Sequence, residues 1–319
     1  MWKAAAALAL FSSLTLTGTT RAGEVETSHD LLPTDQVTFG VYDPHSAFSS
    51  DRNVDIEHVF VFWQVLDTAE LRRRLANAEK YRRIMMVTVE PYTRAINWRD
   101  GGDQLFADIV AGRFRPEIER VCSEFGRFKG RVLVRWGHEM EDPTGRYPWA
   151  RKDAEGYKAA FRSFVDTCRK LAPNAAFVWS PKGEENLARY YPGDGYVDFV
   201  GLSLWGLEKM DRDFFGRGRT FAATFSEKYD RVSAFSKPVI IAELGVSGGK
   251  AYRERWFASL FETISSRSSK FAKLRAVVYF NDREPHYWPL GYGSPDWRIS
   301  TGWFSRAKQL AKHLRTTGF

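Results

Sequence analysis

The feature that most constrains this chain is a rhythm of eight short apolar runs, nearly all separated by longer amphipathic segments. The runs are Val37–Tyr42, His58–Trp63, Ile84–Val89, Val132–Arg135, Ala176–Trp179, Val197–Leu204, Pro238–Ala242 and Ala276–Phe280. Most are near-continuous rather than alternating, the pattern of parallel strands covered on both faces. Helical periodicity occupies Thr68–Lys80, Asp103–Phe125 with a break near Gly112, Asp153–Leu171, Phe221–Ser233, Ala251–Ser265 and Gly302–Arg315. After the fifth run, residues 184–191 allow at most a short helix. Eight such units predict an α/β fold, a single (β/α)8 TIM barrel of about 250 residues with enlarged loops. No Pro/Gly/Ser-rich linker divides the chain, so residues 23–319 are expected to form one domain. VTFGVYDPHSAFSS carries no GxGxxG, and there is no GxxxxGK[ST] element, which leaves nucleotide chemistry without a foothold.

Residues 1–22, MWKAAAALALFSSLTLTGTTRA, read as a secretory signal peptide: an early Lys, an apolar stretch from Ala4 to Leu16, and a small residue at Ala22. That stretch is short for a membrane span. The expected mature protein is secreted or periplasmic and not membrane-inserted. Its net charge falls from +8 to +6, since Lys3 and Arg21 leave and no acid does. The charges are interspersed, so the mild basicity reads as a solvated surface and not as a nucleic-acid site. With no heptad or exposed apolar helix face, a monomer is expected. Cys122 and Cys168 are the two cysteines and both fall in helical patterns, leaving a bond and two buried thiols both open. The six His show no HExxH or similar spacing, and no metal or cofactor is expected. Glu139, Glu141 and Asp142 resemble a hard-cation site in composition only; a solvated loop is the expectation.

In a barrel, catalytic side chains sit at the C-terminal ends of the strands. Those ends hold Asp43, His45, Trp63, Glu90, Arg135, His138, Glu139, Trp179, Trp205, Glu243, Asn281 and Asp282. Two acids stand apart: Glu139 comes straight off the fourth run and Glu243 off the seventh. A carboxylate directly off an apolar strand is expensive to desolvate without a partner or a purpose. Two across one barrel mouth suit glycosidic bond cleavage, one protonating the leaving oxygen and the other attacking the anomeric carbon. The competing reading binds one or both in structural ion pairs, with Arg135 the nearest candidate partner.

The string RWGHEMEDPTGRYPWA at 135–150 resembles the acid/base motif of glycoside hydrolase family 26, the family of β-mannanases, mixed-linkage β-glucanases and some β-1,3-xylanases. YVDFVGLSLWG at 196–206, PVIIAELG at 238–245, and VVYFN at 277–281 with DWRI at 296–299 resemble the same family in the same order. The resemblance runs from about Val37 to Arg315. It implies a retaining endo-β-glycanase with Glu139 as general acid/base, Glu243 as nucleophile and His138 as a positioning and substrate-binding residue. Retention requires the two carboxyls about 5–5.5 Å apart. The acid needs an environment that raises its pKa, and the nucleophile must stay ionised. Arg135 is expected to fork onto one of the barrel-mouth acids.

Aromatic residues make up 15% of the chain, including 11 Trp. Trp63, Trp98, Trp149, Trp179, Trp205, Trp288 and Trp297 fall at strand ends or in the loops beyond, and three or four are expected to touch sugar, with Trp205, Trp288 and Trp149 first. His286 and Tyr287 share a loop with Trp288, while Tyr42 and His45 follow the first run. Many family members carry a Tyr at the end of strand six that bonds the nucleophile; this chain has Trp205 there, so Trp205 or Tyr279 takes that part. Asn281 and Glu90 complete the expected supporting set. The sequence after HisGluMet, with its TyrProTrp ending, resembles the glucan-acting members. Mixed-linkage β-1,3-1,4-glucan is therefore the expected substrate, followed by β-mannan and then a bacterial exopolysaccharide. A non-catalytic carbohydrate-binding barrel is the alternative of a different class.

Overall fold

In the computed structural model, which describes residues 31–94, 104–150, 153–266, 269–307 and 309, the eight strands close on themselves in chain order. They are β1 Thr38–Tyr42, β2 Ile56–Phe62, β3 Ile84–Glu90, β4 Val132–Trp136, β5 Ala175–Trp179, β6 Phe199–Leu207, β7 Val239–Ser247 and β8 Leu274–Phe280. Every neighbouring pair is parallel, and β1 bonds both β2 and β8. Around them lie α1 Thr68–Tyr81, α2 Leu105–Val110, α3 Arg115–Arg127, α4 Ala154–Leu171, α5 Glu208–Phe215, α6 Phe221–Val232 and α7 Lys250–Ser265, with a last helical stretch at 303–307. Residues 1–22, Trp98 and the end of the last expected helix lie outside the described residues.

Local chemistry sets the boundaries. Asp67, Asp153 and Thr220 each accept a hydrogen bond from a backbone N–H in the first turn of the helix they precede, as N-caps do. The break at Gly112 separates α2 from α3, with Gly112 in the left-handed region and Pro116 in the first turn of α3. Helix α5 was not expected: only Asp211 of its eight residues is buried, and Phe214 and Phe215 are exposed, so it carries no apolar stripe. The disulfide Cys122–Cys168 joins α3 to α4 and settles the cysteine question.

Two apolar layers result. Outward-facing strand residues such as Val87, Val134, Ile241 and Leu244 pack on the helices. Inside the barrel floor lie Ile56, Met86, Leu133, Val178, Phe199, Ile240, Ala242 and Val278. Strand periodicity then lifts polar residues into the next interior layer: His58 two beyond Ile56, Thr88 two beyond Met86, Arg135 two beyond Leu133. Strand β7 breaks that period. Its register with β6 passes from Leu202↔Ile241 to Ser203↔Glu243, leaving Ala242 extra. Strict alternation from Ile240 and Ala242 would send Glu243 outward onto the helices. The bulge resets the phase, and Glu243 enters the barrel beside Ser203.

Candidate active site

Glu243 lies 6% exposed, with Oε1 2.6 Å from Nη1 of the fully buried Arg135. The guanidinium also donates to Thr88 Oγ1 and Ser203 Oγ, each at 3.3 Å, so β3, β4, β6 and β7 all hold it. The expected Arg135–carboxylate pair therefore exists, and Glu243 is its partner. Burial pushes Glu243 up to about 7; Arg135 opposes this and the charge of Glu139 adds to it.

Glu139 is 4% exposed and has φ +52°, a left-handed backbone that a non-glycine residue adopts at a cost of about 1–3 kcal/mol. Gly137, φ +53°, begins the same turn. The chain thereby leaves β4 and folds across the barrel mouth. Glu139 N–H donates to Ser180 O at 2.8 Å, Gly137 N–H donates to Val89 O, and Trp149 Nε1 donates to His138 O at 2.6 Å. Strain retained and pinned from three sides marks Glu139 as a positioned residue.

A third carboxyl, Glu90 at the end of β3, stands 4.0 Å from His138 Nε2. Burial first, then the charge of Glu243, pushes Glu90 up to about 8. His138 and His58 are both held well below the ordinary histidine range by burial and by Arg135, so both rings are neutral at pH 7. His58 Nε2 meets Thr88 Oγ1 at 2.8 Å, an interior polar contact beneath the site.

Several residues here escaped the sequence reading. Arg146 bonds Glu284 at 2.9 Å and lies over the rings of Tyr147 and Trp288, each at 5.5 Å, tying the loop after β4 to the loop after β8. Burial works against its charge, but Tyr147, Glu139 and Glu284 outweigh it and hold the guanidinium protonated. Lys182 pairs with Asp142 at 3.3 Å and also feels Glu139. Nothing in periodicity singles out such loop cations. Thr88 and Ser203, by contrast, share the inward phase of their strands and were findable.

The aromatic expectation divides. Trp205 and Trp288 are partly exposed, 5.4 Å apart, and join Tyr42, Phe60 and Phe280 around the mouth. Gly245 makes this possible: a Cβ there would come within 2.6 Å of the Trp205 ring. Trp63, Trp149, Trp179 and Trp297 are wholly buried and do not present a face to a ligand. Trp63 donates to Tyr92 O and stacks on Phe114 behind the strands. Trp179 packs on Tyr191 and Phe235, and Trp149 stacks on Tyr147 while holding His138 O. Their strand-end positions point outward or are covered by loops, and these sites need large packing side chains.

Tyr279 is not directed at Glu243. It is on the outward phase of β8, wholly buried, and its hydroxyl donates to Trp297 O at 2.7 Å. Asn281 is also a clasp, donating to Asp43 Oδ1 at 3.2 Å and accepting from Ile299 N–H. His45 sits on the rim, 70% exposed at its side chain, 3.1 Å from Asp282. The expected solvated acidic loop is buried: Glu141 is 2% exposed and accepts from the N–H groups of Gly183 and Glu184, and Asp142 is 5% exposed. Burial of this loop is compensated by backbone donors and Lys182. Among the described residues no group of three or more His, Cys, Asp or Glu is placed to hold a metal ion.

The sequence pattern of glycosyl hydrolase family 26 matches residues 116–259, a stretch that contains both Glu139 and Glu243. Endoglucanase H of Acetivibrio thermocellus is 26% identical over 267 residues, 78% of this chain and 26% of the relative. Mannan endo-1,4-beta-mannosidase of Bifidobacterium adolescentis is 22% identical over 214 residues, 60% of this chain and 20% of the relative. This chain thus spans about a quarter or less of the length of these two relatives. Among solved structures, the family 26 β-mannanase BoMan26A of Bacteroides ovatus superposes with TM-score 0.61 at 15% identity, covering 88% of this chain and 89% of that one. The chain is thus similar to glycosyl hydrolase family 26 over residues 116–259.

Proposed function

We propose that the protein is a retaining endo-β-glycanase in which Glu139 is the general acid/base and Glu243 the nucleophile. The observation that carries this reading is the bulge in β7, which turns Glu243 into the barrel against Arg135, near enough to the strained and pinned Glu139 to feel its charge. Each half of the mechanism has a physical basis. The charge of Glu139 is one of the influences holding Glu243 up, so a proton on Glu139 removes that influence. Arg135 then favours the ionised Glu243. The state needed for attack, a protonated acid beside an ionised nucleophile, is therefore self-consistent. Departure of the proton to the leaving oxygen frees Glu139 to accept one from water when the glycosyl-enzyme is hydrolysed. Trp205, Trp288 and Tyr42 supply apolar faces for the sugar, and neutral His138 offers a ring N–H or lone pair to its hydroxyls.

The names of the two sequence relatives divide between a glucan and a mannan. We put β-1,4-mannan first, since the mannosidase's name gives both sugar and linkage; mixed-linkage glucan is second and a bacterial exopolysaccharide third. We place the protein outside the cytoplasm; the leader-like residues 1–22 and the Cys122–Cys168 disulfide both support this. The test is a product-resolved digest of konjac glucomannan, galactomannan, barley β-glucan and curdlan, with the anomer of the first product read by NMR. A β-anomer from wild type and a loss of roughly 10³-fold in Glu139→Gln and Glu243→Gln are expected. Binding of these glycans without hydrolysis points to the non-catalytic barrel, and an α-anomer rules out retention.

A further inference from the structure

Beside the catalytic mouth lies a cavity of about 300 Å³ that the chemistry above does not use. Phe62, Val65 and Tyr92 form its apolar walls, and Gln64, Arg94 and His286 its polar ones. Phe62, the last residue of β2, is 48% exposed, and Val65, in the turn just beyond it, is 57% exposed. The Phe62 and Tyr92 rings meet edge to face at 5.3 Å, which fixes the plane of both. The polar side is equally fixed. Gln64 Oε1 accepts from Arg94 N–H at 2.6 Å, Arg94 Nη2 donates to Gln64 O at 2.8 Å, and Gln64 Nε2 reaches Glu117 at 3.4 Å. A guanidinium carries five N–H groups, and this bond uses one.

Rigid rings on one side and oriented donors on the other match an amphipathic ring with apolar faces and a hydroxyl rim. Among the described residues no carboxylate lines this cavity, in contrast to the three at the mouth. Packed side chains join the cavity to the candidate active site. Tyr92 lies two residues beyond Glu90, packs on Trp149 at 4.9 Å, and Trp149 holds His138 O next to Glu139. His286, which lines the cavity, comes from the same loop as Trp288.

We infer that the Phe62–Tyr92 cavity is a distal subsite that binds a further pyranose ring of the same polysaccharide chain held at Glu139 and Glu243. This rests on the glycanase reading and adds a length requirement to it. The experiment compares wild type with Phe62→Ala and with Val65→Arg, which fills the cavity. kcat/KM is measured on a reduced-end-labelled ladder of manno- and gluco-oligosaccharides, and affinity for the same ladder by calorimetry in the Glu243→Gln background. Circular dichroism verifies folding of each variant; both positions are exposed, and either variant alone suffices. The expected result is that the ratio of kcat/KM for long over short oligosaccharides falls about tenfold, with a matching loss of affinity for the long ones only. Equal effects at every length, or none, overturn the subsite while leaving the catalytic pair standing. If wild type hydrolyses nothing yet the length-selective loss of affinity persists, the subsite stands and the catalytic reading falls. Absence of any binding along the ladder overturns the subsite.

Discussion

Glu90 offers the sharpest physical test of the site, because it is an acid kept where an amide would fold better. It is 7% exposed at the end of β3, and burial with the charge of Glu243 raises its pKa from 4.5 to about 8. An acid whose folded pKa exceeds its unfolded one holds its proton more tightly in the fold. The folded state then binds more protons than the unfolded chain between pH 4.5 and 8, and stability must fall as pH rises through that window. The full effect is about 5 kcal/mol above pH 8, of which about 3 kcal/mol has accrued by pH 7. Glu90→Gln removes the titration and keeps the shape. Other buried groups also titrate: Glu141, raised to about 7, acts in the same direction, while His58 and His138, held low, act in the opposite one. The difference between wild type and variant separates Glu90 from them. Urea unfolding at intervals from pH 4.5 to 8.5 should show the two proteins diverging steadily, the variant becoming the more stable. A difference that stays flat across this range would falsify the account of Glu90 as a desolvated, proton-holding acid. The same variant should lose activity, because groups that destabilise a fold are retained where function needs them.

Other expectations follow from single contacts. Gly245→Ala places a Cβ 2.6 Å from the Trp205 ring, so thermal melts should show about 1–3 kcal/mol of destabilisation and the KM for polysaccharide should rise several-fold. Replacing Cys122 and Cys168 by Ser opens a bridge between residues 46 apart, and denaturant unfolding should register about 4 kcal/mol lost; no change would mean the unfolded chain is not constrained by the bond. Arg135→Lys keeps a cation but loses the fork that Thr88, Ser203 and Glu243 share. Because Arg135 lowers the Glu243 pKa, the acidic limb of the kcat/KM profile should move to higher pH; an unmoved limb would show that Glu243 does not control it.

How far the sequence reached depended on whether a signal was local. All eight strands were legible because parallel strands buried on both faces are written as apolar runs, although β7 runs five residues past the expected end at Ala242 and takes in Glu243. Glu139 and Glu243 were legible as acids following such runs, and Arg135 as the cation beside them. What the runs did not contain is the phase of β7. Without the extra residue at Ala242, Glu243 would face α-helices and its carboxylate would be a structural partner, the competing reading raised at the outset. A bulge depends on how β6 and β7 register, and that is a property of two strands.

The tryptophans failed for a related reason. A strand-end position says that a residue is near the mouth, but strand parity and the covering loops decide whether its ring faces sugar or core. Trp205 lies on the interior phase of β6 with Ser203, while Trp179 and Tyr279 sit on outward phases with the helix-packed layer. Trp149 shows the more consequential case. Its burial leaves it no face for a ligand yet ties it to the turn that carries Glu139, since its indole holds His138 O while Tyr147 and Tyr92 clamp its ring. Tyr92, at one end of that stack, lines the Phe62–Tyr92 cavity. Occupation of that cavity would press on Tyr92, and through Trp149 on the turn that carries Glu139. Contiguous contacts thereby join Phe62 to the turn that carries Glu139. A Phe62→Ala variant should therefore lower kcat as well as raise KM on long substrates, whereas an isolated binding pocket would change KM alone.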